Sequence, residues 1–205
     1  MSKINMDSMD NMHFDLLREL GNIGAGNATT ALAQMLNKKL DMKVPKVDLV
    51  GFDKLPSIIC GEEELVAGIY LMLDEDVEGS MMFLVPEQSA HNLVNQLMGR
   101  PEGEVQEQFT DMDLSALQEI GNIITGSYLS ALSSLTGLTI GASVPYLAVD
   151  MAAAILSVPA IEFGKIGDKA LLIKTEFGDD VMIDGYFILI PALDSYDKIL
   201  GSLGL

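Results

Sequence analysis

Two pairs of residues in this chain are suited to chemistry on a phosphoryl group: Glu19 with Asn22, and Glu119 with Asn122. Neither residue type is a nucleophile in this setting, and Asn cannot act as a general base. A carboxamide can, however, accept a hydrogen bond from a water and donate one to a nearby oxygen. That lets it orient a water for in-line attack, in a reaction that depends mostly on positioning and electrostatics. The phosphoryl group and its metal would then belong to a partner protein.

Each pair sits in a repeated phrase. Residues 16–28 read LLRELGNIGAGNA and residues 116–128 read ALQEIGNIITGSY, so E-[LI]-G-N-I recurs one hundred positions on. Gly and Asn are poor helix formers, Gly by about 1 kcal/mol against Ala, so propensity did not select the phrase. At about 100° per residue, Asp15, Glu19, Asn22 and Gly26 form one stripe, with Leu17, Leu20, Gly24, Ala28, Ala31 and Met35 opposite. Ser115, Glu119, Asn122 and Gly126 repeat the stripe, opposite Leu117, Ile120, Ile124, Tyr128, Ala131 and Leu135. This is the pattern of an amphipathic helix. Polar residues on a helix usually do no more than fill a solvated face. Two copies in register, each with a disfavoured Asn, argue instead for a docking face. Gly26 and Gly126 would leave it shallow enough for a partner's backbone.

Further landmarks define what must hold these helices. Val44-Pro45 matches Val144-Pro145, Glu78-Gly79-Ser80 resembles Asp184-Gly185-Tyr186, and Leu84-Val85-Pro86 resembles Leu189-Ile190-Pro191. The order within each unit is a long helix, apolar strands and a short amphipathic helix. The long helices are predicted near 11–36 and 111–136, the second opening on a capping box at Thr110 and Asp113. Strands are predicted at Val47–Phe52, Val66–Leu73 and Ser80–Val85, then near Ala160–Phe163, Ala170–Phe177 and Met182–Ile190. Closing helices fall at Glu87–Met98 and Ser195–Leu203, and GRPEGEVQEQ (99–108) reads as an exposed linker. The expected fold is α+β: one pseudo-two-fold symmetric domain over 1–205. Its two helix–β-meander–helix units, near 11–100 and 111–205, share an antiparallel sheet with helices on one face.

Composition excludes several classes. Against 12 Lys and Arg stand 30 Asp and Glu, a net charge of −18 with no basic run, so nucleic acid is a poor partner. A protein with a positive rim would be steered in. With 49% hydrophobic residues and a mean hydropathy of +0.31, the chain can bury a sizeable core. Its longest apolar zone, Leu138 to Ile161, carries Asp150, Pro145 and Pro159, so no membrane insertion is expected. The start, MSKINMDSMDNMHFD, has no apolar signal region, and the expected location is the cytoplasm. Cys60 is the single cysteine and reads as a small apolar residue. His13 and His91 are the only histidines, so no ligand cluster for a protein-held metal is expected. GNIGAGN is neither a dinucleotide fingerprint nor a P-loop, and no G-x-S-x-G elbow occurs.

The pattern [DS]-x3-E-x2-N-x22-P resembles the signature of the CheC phosphatases, in the CheC/CheX/FliY group of bacterial chemotaxis. Here it reads Asp15, Glu19, Asn22, Pro45, and again Ser115, Glu119, Asn122, Pro145. The resemblance covers essentially the whole chain, and both copies are complete, as in CheC itself. A CheX-like chain would be shorter with one motif. A FliY-like chain would carry an extra flagellar-switch domain, which also weakens a structural switch role, since no such domain is expected after Leu205.

The resemblance implies dephosphorylation of the response regulator CheY. Asn22 and Asn122 would orient the attacking water at the regulator's aspartyl phosphate, and Glu19 and Glu119 would pair with its active-site Lys. Asp15, Ser115, Pro45 and Pro145 would shape the two sites. No cofactor of the chain's own is expected, Mg being carried by the phosphorylated CheY. Proteins of this kind also bind CheD, the receptor-modifying deamidase. The apolar segment YLAVDMAAAIL (146–156), around Val149, Asp150 and Met151, is the candidate contact, unless it is a buried core helix. The competing function is a non-catalytic adaptor that binds phosphorylated CheY or CheD, which would have no need of the Asn residues.

Overall fold

The computed structural model describes residues 11–37, 39–101, 108–163, 169–178 and 182–204. Of the expected linker 99–108, residues 102–107 lie outside the described set. The two long helices fall where periodicity put them, α1 over Asn11–Leu36 and α4 over Asp111–Thr136. Strand β1 (Asp41–Gly51) follows α1, then a 3₁₀ turn at 52–54 and the short helix α2 (Leu55–Ile59). The first unit continues with the hairpin β2 (Leu65–Glu75) and β3 (Gly79–Pro86) and closes with α3 (Glu87–Met98). After α4 come β4 (Ile140–Ala142), β5 (Tyr146–Met151), α5 (Ala152–Phe163), the hairpin β6 (Lys169–Gly178) and β7 (Met182–Pro191), and α6 (Leu193–Ser202).

All strands join one seven-stranded sheet in the order β1-β6-β7-β3-β2-β4, with β5 also on β2, and every pairing is antiparallel. The centre is β3 against β7, where Phe83 stands opposite Phe187 with ring centroids 4.8 Å apart. The units exchange their first strands. β1 of the first unit pairs with β6 of the second, and β4 and β5 pair with β2 of the first. The expected meander within each unit is thereby corrected. The connection from β1 to β2 contains a helix, which carries the chain across the sheet as a tight hairpin turn cannot.

Two further expectations are corrected. Ala160–Phe163 is the last turn of α5, not a strand; the second unit's first strands are β4 and β5. The Ala-rich start of α5 favours helix, and Ala152, Ile155 and Leu156 are buried from it. Helices also cover both sheet faces rather than one. Ile69, Leu71, Phe83, Val85, Ile173 and Leu189 point to the core under α1, α3, α4 and α6. Val66, Met82, Leu84, Leu172, Ile188 and Ile190 point to a second core under α2 and α5. The runs MMFLV and YFILI, apolar at every position, are what two-sided burial requires.

The long helices are held against the sheet and each other. Leu17, Leu20 and Leu32 are buried from α1, as are Leu117, Ile120 and Ile124 from α4, each contributing about 1.5–3 kcal/mol. Gly24 lets the two helices meet: a Cβ there would lie 2.9 Å from the Tyr128 ring and 3.1 Å from its Cα. Tyr128 in turn packs on Phe187, ring centroids 3.9 Å apart. The Tyr128 hydroxyl is buried without a partner among the described residues, and burial pushes its pKa far up.

The start of α4 is pinned by the expected capping box. Asp113 N donates to Thr110 Oγ1 at 3.3 Å, and Thr110 N donates to Asp113 Oδ2 at 2.9 Å. Arg100, from the end of the first unit, adds an ion pair to Asp113 Oδ1 at 2.7 Å. Burial alone would raise the Asp113 carboxyl. The Thr110 amide and hydroxyl and the Arg100 guanidinium outweigh it and hold it below the usual value. His91 stacks on Phe109 beside this cap, ring centroids 3.9 Å apart.

Candidate active site

The repeated phrase divides by direction. Gly21 and Gly121 face inward: a Cβ on Gly21 would lie 3.1 Å from Val44 Cγ1, and one on Gly121 only 2.6 Å from Ile69 Cγ1. Close helix–sheet packing is therefore why the phrase carries its first glycine. Glu19, Asn22, Glu119 and Asn122 face outward and are exposed, as are Asp15 and Ser115. Beyond the backbone of its own helix, an added Cβ on Gly26 or Gly126 would meet open space, so neither stripe is crowded at its glycine.

None of the four Glu and Asn side chains makes a hydrogen bond or ion pair among the described residues. Glu carboxylates and Asn amides left unpaired on a helix are available to a partner. Asp15 differs, being held by Arg18 Nη1 at 3.0 Å. At the second site that cation is replaced by Gln118, whose Nε2 donates to Pro145 O at 3.1 Å. Sequence reasoning missed Gln118, although its place next to Glu119 and one hundred positions after Arg18 marked it.

The motif prolines occupy matching irregularities in the sheet. In β1 the register shifts between Lys43 and Lys46, so Val44 and Pro45 together stand opposite Thr175. Across β4 and β5, the three residues 143–145 face two on β2, between the pairs Ala142–Leu73 and Tyr146–Tyr70. Each bulge contains one extra residue. Proline suits it because it has no amide hydrogen to lose from the ladder, and bulges re-aim chain beside functional sites. The four-point motif thus places its Glu and Asn on a helix face and its Pro on the neighbouring sheet edge.

The candidate partner contact 146–156 splits into strand β5 and the first half of α5, so it is neither one unit nor a single core helix. Among the described residues β5 pairs with β2 alone. Asp150 and Met151 are exposed, whereas Val149 packs against the core beneath α1 and α4. Of the three candidates, Asp150 and Met151 are the two that face solvent.

Among the described residues no group of three or more His, Cys, Asp or Glu could hold a metal, and no helix is long and apolar enough to cross a membrane. Burial, with help from Glu64, pushes the Cys60 thiol up, away from the thiolate that nucleophilic work needs. His91 is buried against Phe109.

Comparison with known proteins follows the same residues. A model of the CheC-like family matches 12–48 and 112–147, the stretches that run along each long helix to its proline bulge. The CheY-P phosphatase CheC of Bacillus subtilis (strain 168) is 39% identical over 194 residues, 93% of this chain and 93% of its own. In fold, the chain is similar to Thermotoga maritima FliY, with a TM-score of 0.76 at 21% identity over 96% of this chain and 98% of that one. A chain of the CheX–CheY–BeF3–Mg complex from Borrelia burgdorferi gives 0.51 at 18% identity, over 84% of this chain and 98% of that one. With a repeated helix face, a matching bulge beside each copy and a sequence relationship along nearly its full length, the chain belongs to the CheC-like family.

Proposed function

We propose that this protein hydrolyses the aspartyl phosphate of a CheY-type response regulator, at two sites built on α1 and α4. The observation that carries the reading is the pair of exposed Glu/Asn stripes, unpartnered among the described residues, inside the two segments matched by the family model. The relative named CheY-P phosphatase supports the reaction, and the CheX–CheY complex supports the partner.

In this reading the regulator docks with its phosphoryl group over Asn22 or Asn122. The amide oxygen accepts a hydrogen bond from the water and the amide nitrogen donates one to a phosphoryl or carboxylate oxygen, lining the water up behind phosphorus, and the water's protons leave with the phosphate. Water oxygen bonds to phosphorus as the bond to the Asp carboxylate breaks, and inorganic phosphate and a free carboxylate leave. Glu19 or Glu119 meets the regulator's Lys. Mg, held by the regulator, supplies charge neutralisation at the phosphoryl oxygens. Asp15, Ser115 and the two bulges set the approach. We place the protein in the cytoplasm, where its substrate would be, and CheD against the β5 edge at Asp150 and Met151.

Phosphate release from phosphorylated CheY, with and without this protein, tests the proposal. A large acceleration at substoichiometric protein is expected. Tight binding of phosphorylated CheY with no acceleration would favour the adaptor reading instead.

A further inference from the structure

The two bulges place their matching valines differently. Val44 is buried at 6% exposure beneath Gly21, whereas Val144, the matching residue, is 84% exposed. Helix packing decides which valine goes in. Ile69 fills the space beneath Gly121, where Val44 lies beneath Gly21. The loop carrying Val144 is nevertheless well held. Ser143 N donates to Met72 O at 2.9 Å, and Ser143 Oγ accepts from Met72 N at 3.0 Å and donates to Val144 O at 3.1 Å. Gln118 ties the next carbonyl, that of Pro145, to α4 one residue from Glu119. At the first site the corresponding residues are Lys43 and Arg18, and Arg18 turns to Asp15 instead.

We propose that Val144 is a docking residue of the second site alone. This rests on the reading of the site given above. The occupant is the phosphorylated regulator, because whatever lies over Glu119 and Asn122 adjoins the loop that Gln118 bonds to the same helix. A second copy of this chain is disfavoured, since each carries a net charge of −18 and like-charged copies repel. The two sites therefore hold the same substrate differently, the first by charge and polarity, the second with an added apolar contact. A contact made equally in the bound complex and in the transition state changes KM and leaves kcat alone.

Steady-state phosphate release tests this in two backgrounds: Asn22→Ala, where the second site works, and Asn122→Ala, where the first does. Val144→Ser should raise KM about tenfold or more in the Asn22→Ala background, with kcat unchanged, as loss of one well-desolvated valine predicts. In the Asn122→Ala background KM should stay put. An unchanged KM in the first background, or an equal rise in both, overturns the proposal and leaves the function standing. Wild-type phosphate release from the Asn22→Ala/Asn122→Ala variant removes the reading of the site and this proposal with it. Sedimentation of the wild type and Val144→Ser supplies the remaining outcome: a dimer that the substitution dissolves makes Val144 a contact between copies and sinks the proposal.

Discussion

Replacing Asn22 and Asn122 together by Ala separates activity from stability. Both side chains are exposed on helices, with no hydrogen bond among the described residues that their removal would break. Ala is the better helix former by about 0.5–0.7 kcal/mol at each position. The double variant should thus be more stable by about 1 kcal/mol, raising Tm by about 2–4 °C for a chain of this size. Activity should move the other way. Removing a preorganised hydrogen-bonding group from a reacting centre lowers kcat by about 10²–10³, and no intact copy remains to compensate. Because each single variant keeps one site, their two rates should sum to the wild-type rate. The assays are phosphate release from phosphorylated CheY and a thermal melt on the same samples. A double variant with more than a tenth of the wild-type rate refutes water orientation by these amides. One that loses activity together with Tm refutes the claim that they stand outside the fold.

Three other outcomes follow from the same structure. Glu19→Lys with Glu119→Lys should weaken binding of CheY carrying a stable phosphoryl mimic, by turning an attractive contact into a repulsive one. A Glu→Gln pair should be milder and less salt-dependent, and equal affinity for wild type and the Lys variant would return these carboxylates to a solvated face. Asp113→Asn should destabilise by about 1–3 kcal/mol at neutral pH, through the lost cap and ion pair. Since the folded carboxyl is held below its ordinary value, its contribution is complete above about pH 4 and is lost as pH falls through the folded pKa. Urea unfolding at stepped pH should show the two proteins converging only in acid, and a gap that widens there would contradict the cap. Gly24→Ala should cost about 1–3 kcal/mol because the new methyl meets Tyr128, whereas Gly26→Ala, with open space around it, should stabilise by up to about 1 kcal/mol. A denaturant comparison of the two variants reads the difference in sign, and equal effects would contradict the α1–α4 contact.

The sequence by itself determined the parts of this protein that local chemistry specifies. The 3.6-residue period placed both long helices and separated the outward Glu, Asn and Gly26-type positions from the inward leucines. Thr110 and Asp113 announced the start of α4 because a capping box needs no distant residue. The spacing from Asn to Pro marked two candidate sites, each ending at a bulge in the sheet. Tertiary structure decided what distant segments do to one another. In YLAVDMAAAIL the alanines favour helix from Ala152 on, but that the first half is a strand is set by its pairing with β2, and the second core receives the rest. Nothing local in β1 or β5 names the other unit's hairpin as its partner, because a strand's edge is satisfied equally by any edge in register. Val44 and Val144 stand at the same place in the same motif, yet one is buried and the other exposed. That difference goes with the side chain that lies beneath each glycine, Val44 under Gly21 and Ile69 under Gly121, a neighbour that only the packed molecule sets.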